Sequence, residues 1–150
     1  MVLTRYGGVA GLLILIGTLV GAALFLLMHV VMPPDRGEEG VALTVFMAIF
    51  GGAIGAGTAF VAALAFLLSM LAWTRGGHRS VGSRAVIGGS GAAAGAALVW
   101  VCVGIAWNSP YARHVWGAIA GFCALLAAIV AVPATARAAR RADSVTPATV

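Results

Sequence analysis

Four long apolar segments separated by short polar stretches make up most of the sequence. They cover approximately residues 7–32, 41–73, 85–107 and 115–132, and prolines or glycine- and arginine-rich stretches end them. A helix needs about 20 residues to cross a bilayer, and these segments are too long and too uniformly apolar for the alternating strands of a membrane barrel. The pattern predicts an all-α polytopic membrane protein, a four-helix transmembrane bundle.

The boundaries of these segments predict one transmembrane domain over residues 1–132 and a basic cytoplasmic tail over residues 133–150. The first segment is longer than the apolar core of a signal peptide and has no small-residue cleavage site before Pro33. We therefore expect it to be retained as the first helix. Pro133 is expected to close the fourth helix, because proline lacks the N–H that a helix interior needs.

Composition supports the membrane assignment. Hydrophobic residues make up 62% of the chain and charged residues only 9%, whereas soluble domains carry about 25% charged residues. This composition excludes an ordinary soluble fold, and it also excludes disorder, because disordered segments are polar and rich in charge.

The few charges are distributed unevenly, with a net charge of +5. Lys and Arg are retained on the cytoplasmic side of membranes, so both termini are predicted to be cytoplasmic and the protein to lie in the cell membrane. The arginines flank the apolar segments, so no nucleic-acid partner is expected. In this topology the inner segments carry Arg5, Arg75, Arg79, Arg84, Arg137, Arg140 and Arg141, and the outer loops carry Arg36 and Arg113 together with Asp35, Glu38 and Glu39.

Three of the inner arginines are candidates for contact with lipid. Arg137, Arg140 and Arg141 have helical spacings of three and four residues, so they share one face of a helix. We expect them to bind anionic headgroups just beyond the fourth span.

Small residues mark the expected helix contacts. Membrane helices associate where small residues allow their backbones to approach, and every segment contains two glycines four residues apart. The pairs expected to pack are Gly17 and Gly21, Gly51 and Gly55, Gly91 and Gly95, and Gly117 and Gly121. On the second segment the glycine pair is part of a longer stripe of small residues on one helix face, which predicts that the second helix is the most buried. The stripe consists of Thr44, Ala48, Gly51, Gly55, Thr58, Ala62, Ala65 and Ser69.

Reactive side chains are scarce inside the predicted spans. No Asp, Glu, Lys or Arg lies within them, which argues against ion-coupled transport. No catalytic or metal-ligand pattern is present, so we expect no enzymatic activity, no cofactor and no metal site. The candidate binding residues are His29 and His114 near the outer side and Thr18, which lies nearly beneath His29 on the same face.

Two cysteines fall inside the spans, and one tryptophan lies well away from the span boundaries. Cys102 and Cys123 are expected to be packing thiols, with a bond between the third and fourth helices as the alternative. Trp100 lies about two turns inside the third span, where its indole N–H would require a partner.

Two functional hypotheses follow. The first is a non-enzymatic accessory or scaffold subunit, or a homo-oligomer, whose partners are the bilayer and other membrane subunits or further copies of itself. The alternative is a small channel or carrier for a neutral or lipid-like substrate, with Thr44, Thr58 and Ser69 lining the path. The hypotheses differ in whether that polar stripe faces a void or is filled by neighbouring Gly and Ala.

The topology can be tested with a cysteine at position 80, in the expected inner loop. An impermeant thiol reagent added outside intact cells should not label Ser80→Cys, because the loop faces the cytoplasm. Labelling from outside would contradict the proposed orientation.

Overall fold

The computed structural model describes residues 2–31, 40–74, 80–107 and 113–145. They form four helices: α1 (Val2–Val31), α2 (Val41–Thr74), α3 (Val81–Trp107) and α4 (Arg113–Val145). All four are long and apolar enough to span a membrane. The prediction of an all-α, four-helix membrane protein is confirmed.

Three helix boundaries lie beyond those expected, and the first is the start of α1, which begins at Val2 rather than near residue 7. α3 begins at Val81 rather than near residue 85, because Ser80 caps it: the Ser80 hydroxyl accepts a hydrogen bond from the Ser83 N–H at 3.3 Å. Arg84 therefore lies in the first turn of α3. α4 continues through Pro133 to Val145, so the first part of the expected tail is helical.

Packing explains why α4 passes its proline. A proline inside a helix costs one backbone hydrogen bond, but the ring of Pro133 lies on an exposed face. On the opposite face, Thr135 and Ala139 are fully buried against the bundle. This burial holds the last turns of α4 in helical register.

Helices that follow one another in the chain also pack side by side. α1 packs extensively on α2, α2 on α3, and α3 on α4, whereas α1 and α4 contact each other much less. The order is that of an up-and-down bundle. The four helices therefore form a ring in which the contact between α1 and α4 is the weakest.

The large buried side chains lie in one half of the bundle. Phe66 and Met70 are fully buried, and the ring of Tyr6 packs edge-to-face on Phe66 with centroids 6.1 Å apart. Val9 and Leu13 complete this group. This group lies at the end of the bundle where α1 and α3 begin and α2 and α4 end. We call it the arginine end, because Arg84, Arg137, Arg140 and Arg141 lie there. We call the opposite end of the bundle the open end.

Glycine backbones form the contact between α1 and α2. A Cβ atom on Gly55 would overlap the carbonyl oxygen of Gly17, and one on Gly21 would overlap that of Gly51. A Cβ on Gly51 would lie 2.5 Å from the carbonyl oxygen of Gly21. The two backbones therefore touch directly, a separation that only glycine at these positions allows.

The contact between α2 and α3 uses the glycine pair of α3. A Cβ on Gly95 would lie 2.6 Å from the Cβ of Ala65, and Gly91 faces Ser69. No member of the long α2 stripe is exposed. The large side chains beside it are exposed at the bundle surface: Phe46, Phe50, Leu64 and Leu68.

The glycine pair of α4 lies elsewhere than expected. A Cβ on Gly117 or Gly121 would meet no heavy atom of the described residues within 4 Å, and both glycines are exposed. The reason is Trp116, which stacks on Trp100 and packs against Gly104 of α3. Because successive residues of a helix are about 100° apart, placing Trp116 in this interface turns Gly117 outward.

The glycine contact can be tested with a single methyl group. Gly55→Ala should lower the free energy of unfolding by about 1–3 kcal/mol relative to Gly57→Ala, because the added Cβ overfills the contact with Gly17. Gly57 is the matched control, since it lies on the same helix with no neighbour within 4 Å, and both substitutions gain the same helix propensity. Thermal unfolding in detergent measures the difference, and equal stability of the two variants would contradict this packing.

Candidate functional site

The open end of the bundle contains a half-open cavity of about 660 Å³. Its walls are α1, α2 and α4, and Ala96 and Trp100 of α3 lie at its back. The volume falls within the range of roughly 300–1,000 Å³ that is typical of small-molecule sites. The cavity is the candidate functional site.

Burial of the lining residues shows where the cavity opens. On α2 and α3 the lining residues include Thr58, Ala62 and Ala96, which are buried. On α1 and α4, Leu27 and Phe122 line the cavity yet are 58% and 46% exposed. The mouth therefore lies between α1 and α4, where the ring of helices is weakly closed, and it faces the bilayer.

The cavity ends before it reaches the arginine end. Leu13 lies at its deepest point on α1 and is itself buried. One turn further along α1, Val9 belongs to the packed group of Phe66 and Met70. This group forms a floor, so the cavity does not continue through the bundle.

The lining is almost entirely hydrocarbon. The hydroxyl of Thr58 donates a hydrogen bond to the Ile54 carbonyl oxygen at 3.0 Å, within its own helix. The indole nitrogen of Trp100 has no hydrogen-bond partner among the described residues. Because this nitrogen has no exposed surface, the ring presents carbon atoms to the cavity. The lining thus offers an occupant no strong side-chain hydrogen-bonding group.

The candidate binding residues from the sequence lie outside this cavity. His29 Nε2 and the Thr44 hydroxyl oxygen are 3.4 Å apart and link α1 to α2 near the open end. The Thr18 hydroxyl donates to the Ile14 carbonyl oxygen at 2.8 Å, and His114 is exposed at the start of α4. Within the described parts of the chain, these three residues make no hydrogen bond with one another.

A metal site is not formed by the residues that the structure describes, since no group of three His, Cys, Asp or Glu side chains comes together among them. The three carboxylates of the first loop, Asp35, Glu38 and Glu39, lie outside the described residues. Cys102 is exposed and Cys123 is half-buried, and both are free thiols.

The polar stripe of α2 does not line a continuous path. Of the three hydroxyl-bearing residues, Thr44 contacts His29, and only Thr58 borders the cavity. Ser69 packs against Gly91 and donates to the Phe66 carbonyl oxygen at 2.7 Å. Neighbouring helices therefore contact two of the three hydroxyl-bearing residues.

The three arginines of α4 lie at the arginine end, far from the cavity. Arg137, Arg140 and Arg141 are exposed, and they project from the side of α4 opposite the buried Thr135 and Ala139. The arrangement leaves their side chains facing outward at this end of the helix.

Sequence reasoning missed the residues of the mouth. Leu24, Leu27, Ala118 and Phe122 line it, but their hydrophobicity is the same as that of side chains that face lipid. The helical repeat of apolar residues on α1 gave no signal that separates the two environments.

Comparison with known protein families, with curated proteins and with solved structures finds no match for this chain.

The apolar character of the cavity can be tested through Cys123. In a Cys102→Ala variant reconstituted in vesicles, a charged methanethiosulfonate reagent should fail to label Cys123, because the mouth opens to lipid rather than to water. Denaturation in sodium dodecyl sulfate should restore full labelling and serves as the control. Rapid labelling of the folded protein would show instead that water fills the cavity.

Proposed function

We propose that this protein binds a lipid-like molecule within the bilayer and holds or carries it without converting it chemically. The cavity of about 660 Å³ that opens between α1 and α4 carries the proposal. Its mouth faces the hydrocarbon region, so an apolar molecule can enter without passing through water.

The physics of packing in lipid supports an occupant for this cavity. Inside a bilayer the hydrophobic effect does not drive association, because lipid chains are as apolar as the side chains. An empty void still costs energy, because its lining atoms lose their dispersion contacts. A molecule from the bilayer that fits the cavity restores those contacts, so shape decides what binds.

A channel for ions or water is less well supported by the same geometry. The packed side chains of Phe66 and Met70 lie between the cavity and the arginine end. The hydroxyls that could line a polar path, Thr44 and Ser69, are in contact with neighbouring helices. Binding a lipid-like molecule therefore accounts for the interior better than conduction does.

A second candidate function is that of an accessory or scaffold subunit, or a homo-oligomer. The exposed pair Gly117 and Gly121 on α4 favours it, since nothing in the described chain covers either glycine within 4 Å. Two glycines at this spacing let another helix approach closely, from a different membrane subunit or from a second copy. No feature of the described residues calls for a nucleic acid.

The proposal includes an orientation in the membrane. We infer a multi-pass protein of the cell membrane with both termini in the cytoplasm, so that the arginine end faces inward. Arg137, Arg140 and Arg141, which are exposed on α4, would then lie at anionic headgroups and contribute about 1 kcal/mol each to that contact. The cavity would open in the outer half of the membrane.

Purification in mild detergent tests the proposed function. The wild-type protein should retain one lipid-like molecule per chain in native mass spectrometry. Leu126→Trp should retain about tenfold less, because Leu126 lines the cavity and is half-buried, and overfilling an occupied space costs about 1–3 kcal/mol. Leu125→Trp is the matched control, since Leu125 is exposed to lipid on the same helix.

The same preparation separates the two candidate functions. A stoichiometric protein partner or a stable homo-oligomer without bound lipid would favour the accessory or scaffold role. Equal lipid retention by Leu126→Trp and Leu125→Trp would show that the lipid lies outside the cavity, and would contradict the first proposal.

A further inference from the structure

We infer that the cavity takes a single unsubstituted hydrocarbon chain, whose polar group stays outside the cavity at the open end of the bundle. This inference rests on the proposed function and names the class of ligand for the same site. Three independent features of the cavity support it: its width, its lack of hydrogen-bonding groups and its closed floor.

The width and length of the cavity fit an extended chain. The lining residues run from Ala118 to Val130 on α4 and from Leu13 to Val31 on α1, which corresponds to about 18 Å and about 27 Å of helix. Distributed over these lengths, 660 Å³ gives a mean cross-section of roughly 24–37 Å². The cavity is therefore long and narrow, a shape that suits an extended chain.

The lack of hydrogen-bonding groups excludes a polar occupant. The Thr58 hydroxyl is bonded to the Ile54 carbonyl oxygen, and the indole nitrogen of Trp100 has no exposed surface in the cavity. A headgroup, or a hydroxyl or carbonyl within the chain, would lose its hydrogen bonds on entry. An unsubstituted hydrocarbon chain loses none.

The closed floor sets the direction of the chain. Leu13 and the packed group beyond it close the cavity toward the arginine end, so a chain enters with its terminal methyl group first. The polar group then remains near the open end, where His114 is exposed one helical turn before Ala118. A lipid bound in this way exchanges with one leaflet only.

Thermal unfolding of the delipidated protein in detergent tests the inference. Stearoyl lysophosphatidylcholine should raise the unfolding midpoint, because a ligand that binds only the folded state stabilises it. The analogue with a hydroxyl at mid-chain should need about tenfold more lipid for the same shift, because the hydroxyl finds no partner in the cavity. Ile119→Thr, which adds a hydroxyl to the lining, should reduce this difference.

The control variants make the result specific to the cavity. Neither lipid should shift the midpoint of Leu126→Trp, and both should act on Leu125→Trp as they do on the wild type. Equal potency of the two lipids would overturn the inference while leaving the proposed function intact. The inference also fails, alone, if neither lipid shifts the midpoint of a protein that retains a lipid on purification. If no lipid is retained either, the proposed function fails as well.

Discussion

Direct contact between the backbones of α1 and α2 is the interaction on which the rest of the structure depends. In a bilayer, helices gain nothing from hiding apolar surface, so they need close contacts to stay together. Gly17 against Gly55 and Gly21 against Gly51 bring the two backbones into contact. Gly91 and Gly95 repeat the arrangement between α3 and α2. With both sides of α2 held in this way, the positions of α1 and α3 are fixed around it.

This fixed arrangement leaves the two ends of the bundle unequal. At the arginine end, Tyr6, Phe66 and Met70 fill the space between the helices. At the open end, α1 packs on α2 through its glycines. There α4 is held to α3 by the stacked rings of Trp100 and Trp116. Because α1 packs on α2 and α4 packs on α3, the described residues of α1 and α4 make few contacts with each other. The cavity is the space left between two well-packed pairs.

The sequence predicted the four spans, because length and hydropathy alone determine which helices can cross a bilayer. Two local rules were overridden by packing. Pro133 does not end α4, since Thr135 and Ala139 are buried beyond it. Gly117 does not reach the interface, since the adjacent Trp116 occupies it. The cavity itself could not be predicted, because its leucines resemble those that face lipid.

The weak closure between α1 and α4 has an evolutionary consequence. The side chains at the mouth, such as Leu27 and Phe122, are not among those that hold the helix pairs together. Substitutions there change the shape of the cavity and leave the glycine contacts of α2 intact, and effects at distant sites are close to additive. Substitution at this seam can therefore alter the shape of the cavity while the contacts that hold the helix pairs stay in place.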